Sequence, residues 1–137
     1  MKQHIISIET LGRSMYRIDQ DIDRWLTKVN VPAGLCHLFI QHTSASLLIT
    51  ENADPDVHRD LETWMNSAVI DGDPRFRHDA EGPDDMSAHI RSVLTQTSLS
   101  VPVTENRLAL GTWQGIYLWE HRSHPHRRKV LLTVLQS

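Results

Sequence analysis

With one cysteine, Cys36, the 137-residue chain has no internal disulfide, the usual stabilising device of small secreted domains. Runs of about 18 consecutive apolar residues are also missing, and the segment Met1 to Thr10 has no signal-peptide architecture. These absences point away from a membrane partner and toward a reducing, cytoplasmic location. Positive charge is not in excess: the formal net charge is -3, so no global field draws the chain to nucleic acid, and any anion it takes must be held locally. Glycine and proline number only six each, and a 39% hydrophobic, 23% charged composition is too apolar for a disordered chain. Length predicts a single domain over 1–137. What the chain has in abundance is histidine, nine in all, each a potential base, metal ligand or pH-sensitive charge.

Periodicity predicts strands at His4 to Ile8 and Ser14 to Ile18, joined as an opening hairpin around Gly12. A helix capped by Asp19 follows, carrying Ile22, Trp25, Leu26 and Val29 at helical spacing and stopped by Pro32 and Gly34. Leu35 to His42 alternates as a strand with both faces largely buried. It is expected to pair with Leu47 to Glu51. Asp54 and Pro55 open a second helix with a stripe of Val57, Leu61, Trp64, Ala68 and Val69, ending near Asp71 and Gly72. Asp73 to Pro83 reads as a loop, and a third helix begins at Asp84 or Asp85 with Met86, Ile90, Val93 and Leu94 as its apolar face and His89 beside it. Strand-like segments at Leu99 to Val103, Arg107 to Leu110, Gly115 to Glu120 and Val130 to Leu135 complete the chain. Cys36 reads as a core thiol on its strand.

Three segments concentrate chemistry. From His78 to His89, two imidazoles and four carboxylates fall within twelve residues leading into a helix, a density suited to a divalent cation; the plainer alternative is a solvated acidic loop with capping aspartates. His42-Thr43-Ser44-Ala45-Ser46 places a histidine at a strand end before hydroxyls and amides able to hold phosphate oxygens, or to serve as ordinary turn residues. Glu51, with Asn52 and Asp54, precedes a helix terminus and reads either as a site carboxylate or as part of a cap. Gly111 to Gly115 frames Thr112, Trp113 and Gln114, a turn that either receives a ring against Trp113 or packs it as a hairpin. Glu120 shares a strand face with Ile116 and Leu118, so its carboxylate is expected to point inward and to need a partner. The basic stretch from His121 through Lys129 reads either as a binder of phosphate or nucleic acid or, more plainly, as a solvated loop between strands.

Taken together, HTSASLLITENADP, HDAEGPDDMSAHI and LALGTWQGIYLWEHR resemble the YjbQ-like family, also described as secondary thiamine-phosphate synthases. The resemblance implies an α+β fold, a mainly antiparallel β-sheet or sandwich with about three packed helices, assembled as a homotrimer with sites near subunit boundaries. It implies a site drawn from His42, Thr43, Ser44, Glu51, His78, Glu81, Gly82, His89, Thr112, Trp113, Gln114 and Glu120. On this reading a divalent ion, zinc or magnesium, is held by His78 and His89 with His42 third. His42, Glu51 and Glu120 serve as catalytic or orienting groups, and Thr43, Ser44, Glu81, Gly82 and the Thr112 to Gln114 turn hold the substrate. The expected reaction is a thiamine-phosphate synthase-like transfer of hydroxymethylpyrimidine from its diphosphate to a thiazole phosphate. Two alternatives use the same residues: a metal-dependent hydrolase of a phosphorylated metabolite, and a non-catalytic trimer that binds a phosphorylated ligand or metal.

Overall fold

Apolar residues at every second position build two antiparallel sheets, and the computed structural model describes all residues, 1–137. In chain order the elements are β1 (Lys2–Thr10), β2 (Ser14–Arg17), α1 (Asp19–Val29), β3 (Ala33–Ile40), β4 (Ala45–Glu51), α2 (Pro55–Ala68), α3 (Asp85–Leu94), β5 (Ser98–Thr104), β6 (Arg107–Leu108), β7 (Gln114–Glu120) and β8 (His126–Gln136). The larger sheet runs β1-β8-β3-β5-β6 and the smaller β2-β7-β4. The chain is thus α+β, with three helices packed on antiparallel sheets.

Neither expected local pairing forms. β1 pairs with β8 along nine residues, whereas β2 pairs with β7 in the other sheet, so the turn at Gly12 joins two sheets and not a hairpin. β3 and β4 likewise part, β3 to β5 and β8, β4 to β7, and Thr43 and Ser44 lie in the crossing between sheets. In both cases a distant strand offers a longer ladder than the neighbour in sequence, and a periodicity of two does not say which partner wins.

Between the sheets lies a core of Cys36, Leu38 and Ile40 from β3, Leu47 from β4, Ile116 and Leu118 from β7, and Val130, Leu132 and Val134 from β8, closed by Ile22 and Leu26 of α1. Each buried aliphatic side chain contributes roughly 1.5–3 kcal/mol. The opposite face of β3 is not buried as expected: Leu35 and Phe39 are 39% and 44% exposed because no layer of this chain covers that side of the larger sheet. Gly34 has a packing role here, since a Cβ would overlap the Leu135 carbonyl oxygen of β8.

The helix predictions differ in instructive ways. Asp54 caps α2 through its carboxylate, which accepts from the Asp56 N–H at 2.9 Å, and Pro55 takes the first helical position. Its buried residues are Met65 and, just beyond its end, Val69; Trp64 is exposed. α1 is capped by Ile18, leaving the Asp19 carboxylate free to accept from the Ile116 N–H (3.0 Å) and Arg17 (3.0 Å), and it stops at Asn30 in the left-handed region. α3 turns Ala88, Arg91 and Ser92 inward, while Val93 and Leu94 face outward. Arg91 can be buried because Glu62 (3.0 Å), Asn66 (3.0 Å) and the Val69 carbonyl (3.2 Å) all accept from it.

Candidate metal centre

Asp85 and His89 lie one turn apart on α3, on the same face, and the loop between α2 and α3 folds back to bring His78 and Glu81 against them. The ligating atoms of all four lie within 4.8 Å of one another. His78 Nε2 is 2.6 Å and His89 Nε2 3.1 Å from the same oxygen, Asp85 Oδ2, and His78 Nε2 is 3.5 Å from Glu81 Oε2. Donors held at about 2.0–2.1 Å from one small cation lie roughly 3–3.5 Å apart, so the separations of 3.1 and 3.5 Å suit a divalent ion with nitrogen and oxygen ligands, and the 2.6 Å contact lengthens slightly to admit it.

The tautomer of His89 sharpens the point. Its Nδ1 lies 3.0 Å from the Thr43 carbonyl oxygen, which can only accept, so Nδ1 carries the proton. In the neutral ring Nε2 is then a bare lone pair aimed at a carboxylate oxygen, a repulsive arrangement unless a proton or a cation stands between them. A backbone carbonyl on the far ring nitrogen is also the partner that orients metal-ligating histidines. The Asp85 carboxylate raises the pKa of His78 through their hydrogen bond. Burial opposes ionisation of Asp85, yet its contacts with His78, Glu81, His89 and Arg122 hold its pKa below the usual carboxylate value.

Arg122, two residues past β7, grips this segment with three nitrogens: Nε donates to Asp84 Oδ2 (2.9 Å), Nη2 donates to the Glu81 carbonyl (3.1 Å), and Nη1 is ion-paired with Asp85 Oδ1 at 2.8 Å. The Ser123 N–H donates to Asp84 Oδ2 at 2.9 Å. Although burial opposes it, these bonds keep the Asp84 carboxyl far below its ordinary pKa.

His42 stands outside the cluster. Its Nε2 accepts from the Lys129 N–H at 2.7 Å, and Arg128 Nη1 lies 3.4 Å from Nδ1. Burial and the Arg128 charge lower its pKa, so His42 is held neutral. Glu120 is fully buried and finds its partner in Arg128, with Thr10 Oγ1 (2.6 Å) and the Arg122 N–H (3.1 Å) also donating to it. Despite the cost of burial these bonds keep Glu120 ionised, its pKa below the ordinary value. Ser44 accepts from Arg128 Nη2 at 2.9 Å, so its hydroxyl belongs to the same buried ion pair. The basic stretch is therefore not a solvated loop: His126 to Lys129 are in β8, and His121 is fully buried with its Nε2 2.8 Å from Ser46 Oγ.

The remaining predicted residues occupy the far end of the smaller sheet. Ala45 pairs with Glu120 at one end of the β4–β7 ladder and Glu51 with Gln114 at the other. Six residues of strand separate these ends by ~20 Å. There Glu51 accepts from the Ala53 N–H at 2.7 Å, Asn52 donates to the carbonyls of Thr112 (3.0 Å) and Gln114 (3.2 Å), and Trp113 is 65% exposed. Gly82, in the left-handed region, turns the loop between Glu81 and α3. The structure thus gathers His78, Glu81 and His89, adds Asp85, and leaves His42 and Glu120 beside them and Glu51 with Thr112 to Gln114 distant.

A surface hollow of about 280 Å³ lined by His42, Thr43, His89, Ser92, Val93 and Thr97 opens next to the cluster. A larger one of about 580 Å³ beside α1 contains none of the histidines. No helix is long and apolar enough to cross a membrane.

Comparison with known proteins places the chain in a family. The model of the UPF0047 protein YjbQ-like family matches residues 4–137. The UPF0047 protein sll1880 of Synechocystis sp. is 49% identical over 96% of this chain and 90% of its own length, and the UPF0047 protein YjbQ of Escherichia coli O157:H7 is 41% identical over 96% of both. Among solved structures, a hypothetical protein of Aeropyrum pernix K1 matches with a TM-score of 0.89 at 27% identity, covering 100% of both chains. An uncharacterised YjbQ/UPF0047 protein of Clostridium acetobutylicum matches with a TM-score of 0.86 at 31% identity, covering 96% of this chain and 99% of its own. The chain belongs to the YjbQ-like UPF0047 family.

Proposed function

We propose that the protein binds a divalent cation at His78, Glu81, Asp85 and His89 and uses it on a phosphorylated small molecule, with a thiamine-phosphate synthase-like transfer as the leading reaction. The observation that carries this reading is the convergence of His78 Nε2 and His89 Nε2 on Asp85 Oδ2, with the other nitrogen of His89 held by the Thr43 carbonyl. Two imidazoles favour zinc over magnesium. When bound, the cation supplies positive charge against which a departing pyrophosphate is stabilised. In the transfer, the thiazole nitrogen donates its electron pair to the pyrimidine methylene carbon as the bond from that carbon to the diphosphate oxygen breaks. The hollow lined by His42, Thr43 and His89 is the nearest place for the organic part of a substrate, and Thr43 can donate its hydroxyl proton to an anionic oxygen there.

Hydrolysis of a phosphorylated metabolite is the second reading, favoured by the exposure of the cluster, 47% for the His78 side chain and 64% for Glu81, which gives water direct access. Self-association, as a homotrimer, is supported by the uncovered row of Ile5, Leu35, Phe39 and Leu135 on the larger sheet. It is also the one route by which the Glu51 and Trp113 end, ~20 Å away along the strands, can join the histidine end in one site. Pyrophosphate release from hydroxymethylpyrimidine diphosphate by zinc- or magnesium-loaded protein, with and without thiazole phosphate, tests the choice. Release that requires the thiazole and disappears in His89→Ala supports transfer. Release of phosphate or pyrophosphate without it supports hydrolysis, and no release under either condition overturns both.

A further inference from the structure

We infer that Arg122 is a positioning residue for the cation site, holding Asp85 so that Oδ2 alone is offered and Oδ1 is withheld; the inference rests on the cation reading above. Arg122 Nη1 is ion-paired with Asp85 Oδ1 at 2.8 Å, while Oδ2 faces both histidines at 2.6 and 3.1 Å. A carboxylate with both oxygens free can chelate, taking two positions around a cation; with one oxygen engaged by a guanidinium it gives one ligand in a fixed direction. The other two nitrogens of Arg122 keep the fork from turning, through the Asp84 carboxylate (2.9 Å) and the Glu81 carbonyl (3.1 Å). Its side chain is only 12% exposed, and its own N–H is anchored to the buried Glu120 carboxylate at 3.1 Å.

Charge balance is consistent with this role. Asp84 neutralises Arg122, so the guanidinium orients Asp85 without adding a net positive charge next to a cation, and Asp85 and Glu81 remain to offset the ion. The same fork ties the loop bearing Glu81 to the start of α3 bearing Asp85 and thereby sets the distance between two ligands. Lysine retains the charge but lacks the planar fork and reaches fewer of the three acceptors.

The test is a Co(II) titration of wild type, Arg122→Met and Arg122→Lys, following visible absorption and stoichiometry, with thermal unfolding of each variant. Wild type is expected to bind one Co(II) per chain. Arg122→Met is expected to bind at least about 10-fold more weakly, with visible bands that lose intensity as Asp85 turns to chelate and the coordination number rises. Arg122→Lys falls between the two. A folded Arg122→Met with wild-type affinity and spectrum overturns the inference. If Arg122→Met does not fold, Arg122→Lys carries the test, and wild-type affinity and spectrum there overturn it equally. Absence of Co(II) binding by wild type overturns the cation reading itself, a result separate from any effect of the variants.

Discussion

Acid is expected to destabilise this protein through a histidine that takes no part in the cation cluster. His121 is fully buried between Trp119 and Ser46, its Nε2 2.8 Å from Ser46 Oγ and its Nδ1 without a partner. An orphaned N–H costs more than an orphaned lone pair, so the neutral ring places its proton on Nε2 and donates it to Ser46. Burial, reinforced by the Arg91 charge, lowers the pKa to about 3. In the unfolded chain the value is about 6.5. The unfolded state thus binds the extra proton first as pH falls, and the stability contributed by the neutral ring is present above pH ~6.5 and is lost progressively toward pH ~3. At 1.36 kcal/mol per unit, the loss between pH 7 and pH 5 is about 2 kcal/mol, and by pH 4 it is about 3 kcal/mol. Urea unfolding of wild type and His121→Gln at pH 7, 6 and 5 measures it. Glutamine retains an amide to bond Ser46 but does not titrate, and the other histidines contribute alike to both proteins. Wild type should lose about 2 kcal/mol more than the variant over this range. A stability difference between the two that stays constant from pH 7 to pH 5 refutes the assignment of His121 as a ring held neutral by burial.

Glu120→Gln leaves Arg128 with an uncompensated buried charge, and unfolding should show a loss of about 3–5 kcal/mol; a loss below about 1 kcal/mol would mean that the pair is solvated. The thiol of Cys36 is pushed up to about 12, chiefly by burial. It should remain unreactive toward a disulfide reagent in the native protein at pH 8 and react once per chain on denaturation, whereas rapid native labelling would contradict its place in the core.

How far the sequence discloses this arrangement depends on whether a signal is local. Asp54 and Pro55 opened α2 as expected because cap and first turn are written in adjacent residues. The partners of Glu120 were not visible. Arg128 lies eight residues away in a stretch that reads as soluble, and only the return of β8 beside β1 and β3 brings it to the carboxylate. For the same reason the alternation of β8 reads in the sequence as beginning at Val130, since a buried Arg128 continues the pattern in a residue type that reads as exposed. The face of α3 misleads because its inward residues Arg91 and Ser92 are polar, Arg91 being compensated by Glu62 and Asn66 of α2, while Val93 and Leu94 are apolar and uncovered. At the cluster, the density from His78 to His89 marks the segment whose side chains the fold gathers. The overlooked member is Asp85, read as a helix start although its spacing of four from His89 already put both on one face. No sequence signal separates His42 from the cluster, because the Lys129 N–H that occupies its Nε2 comes from β8, 87 residues further along the chain.

Metal stoichiometry after zinc loading and exhaustive dialysis, for wild type, His78→Ala, Asp85→Asn and His89→Ala, tests the central claim most directly. The account predicts one zinc per chain in the wild type and a marked loss in each variant with the fold retained. Full retention of zinc by all three variants, or none bound by the wild type, would contradict it.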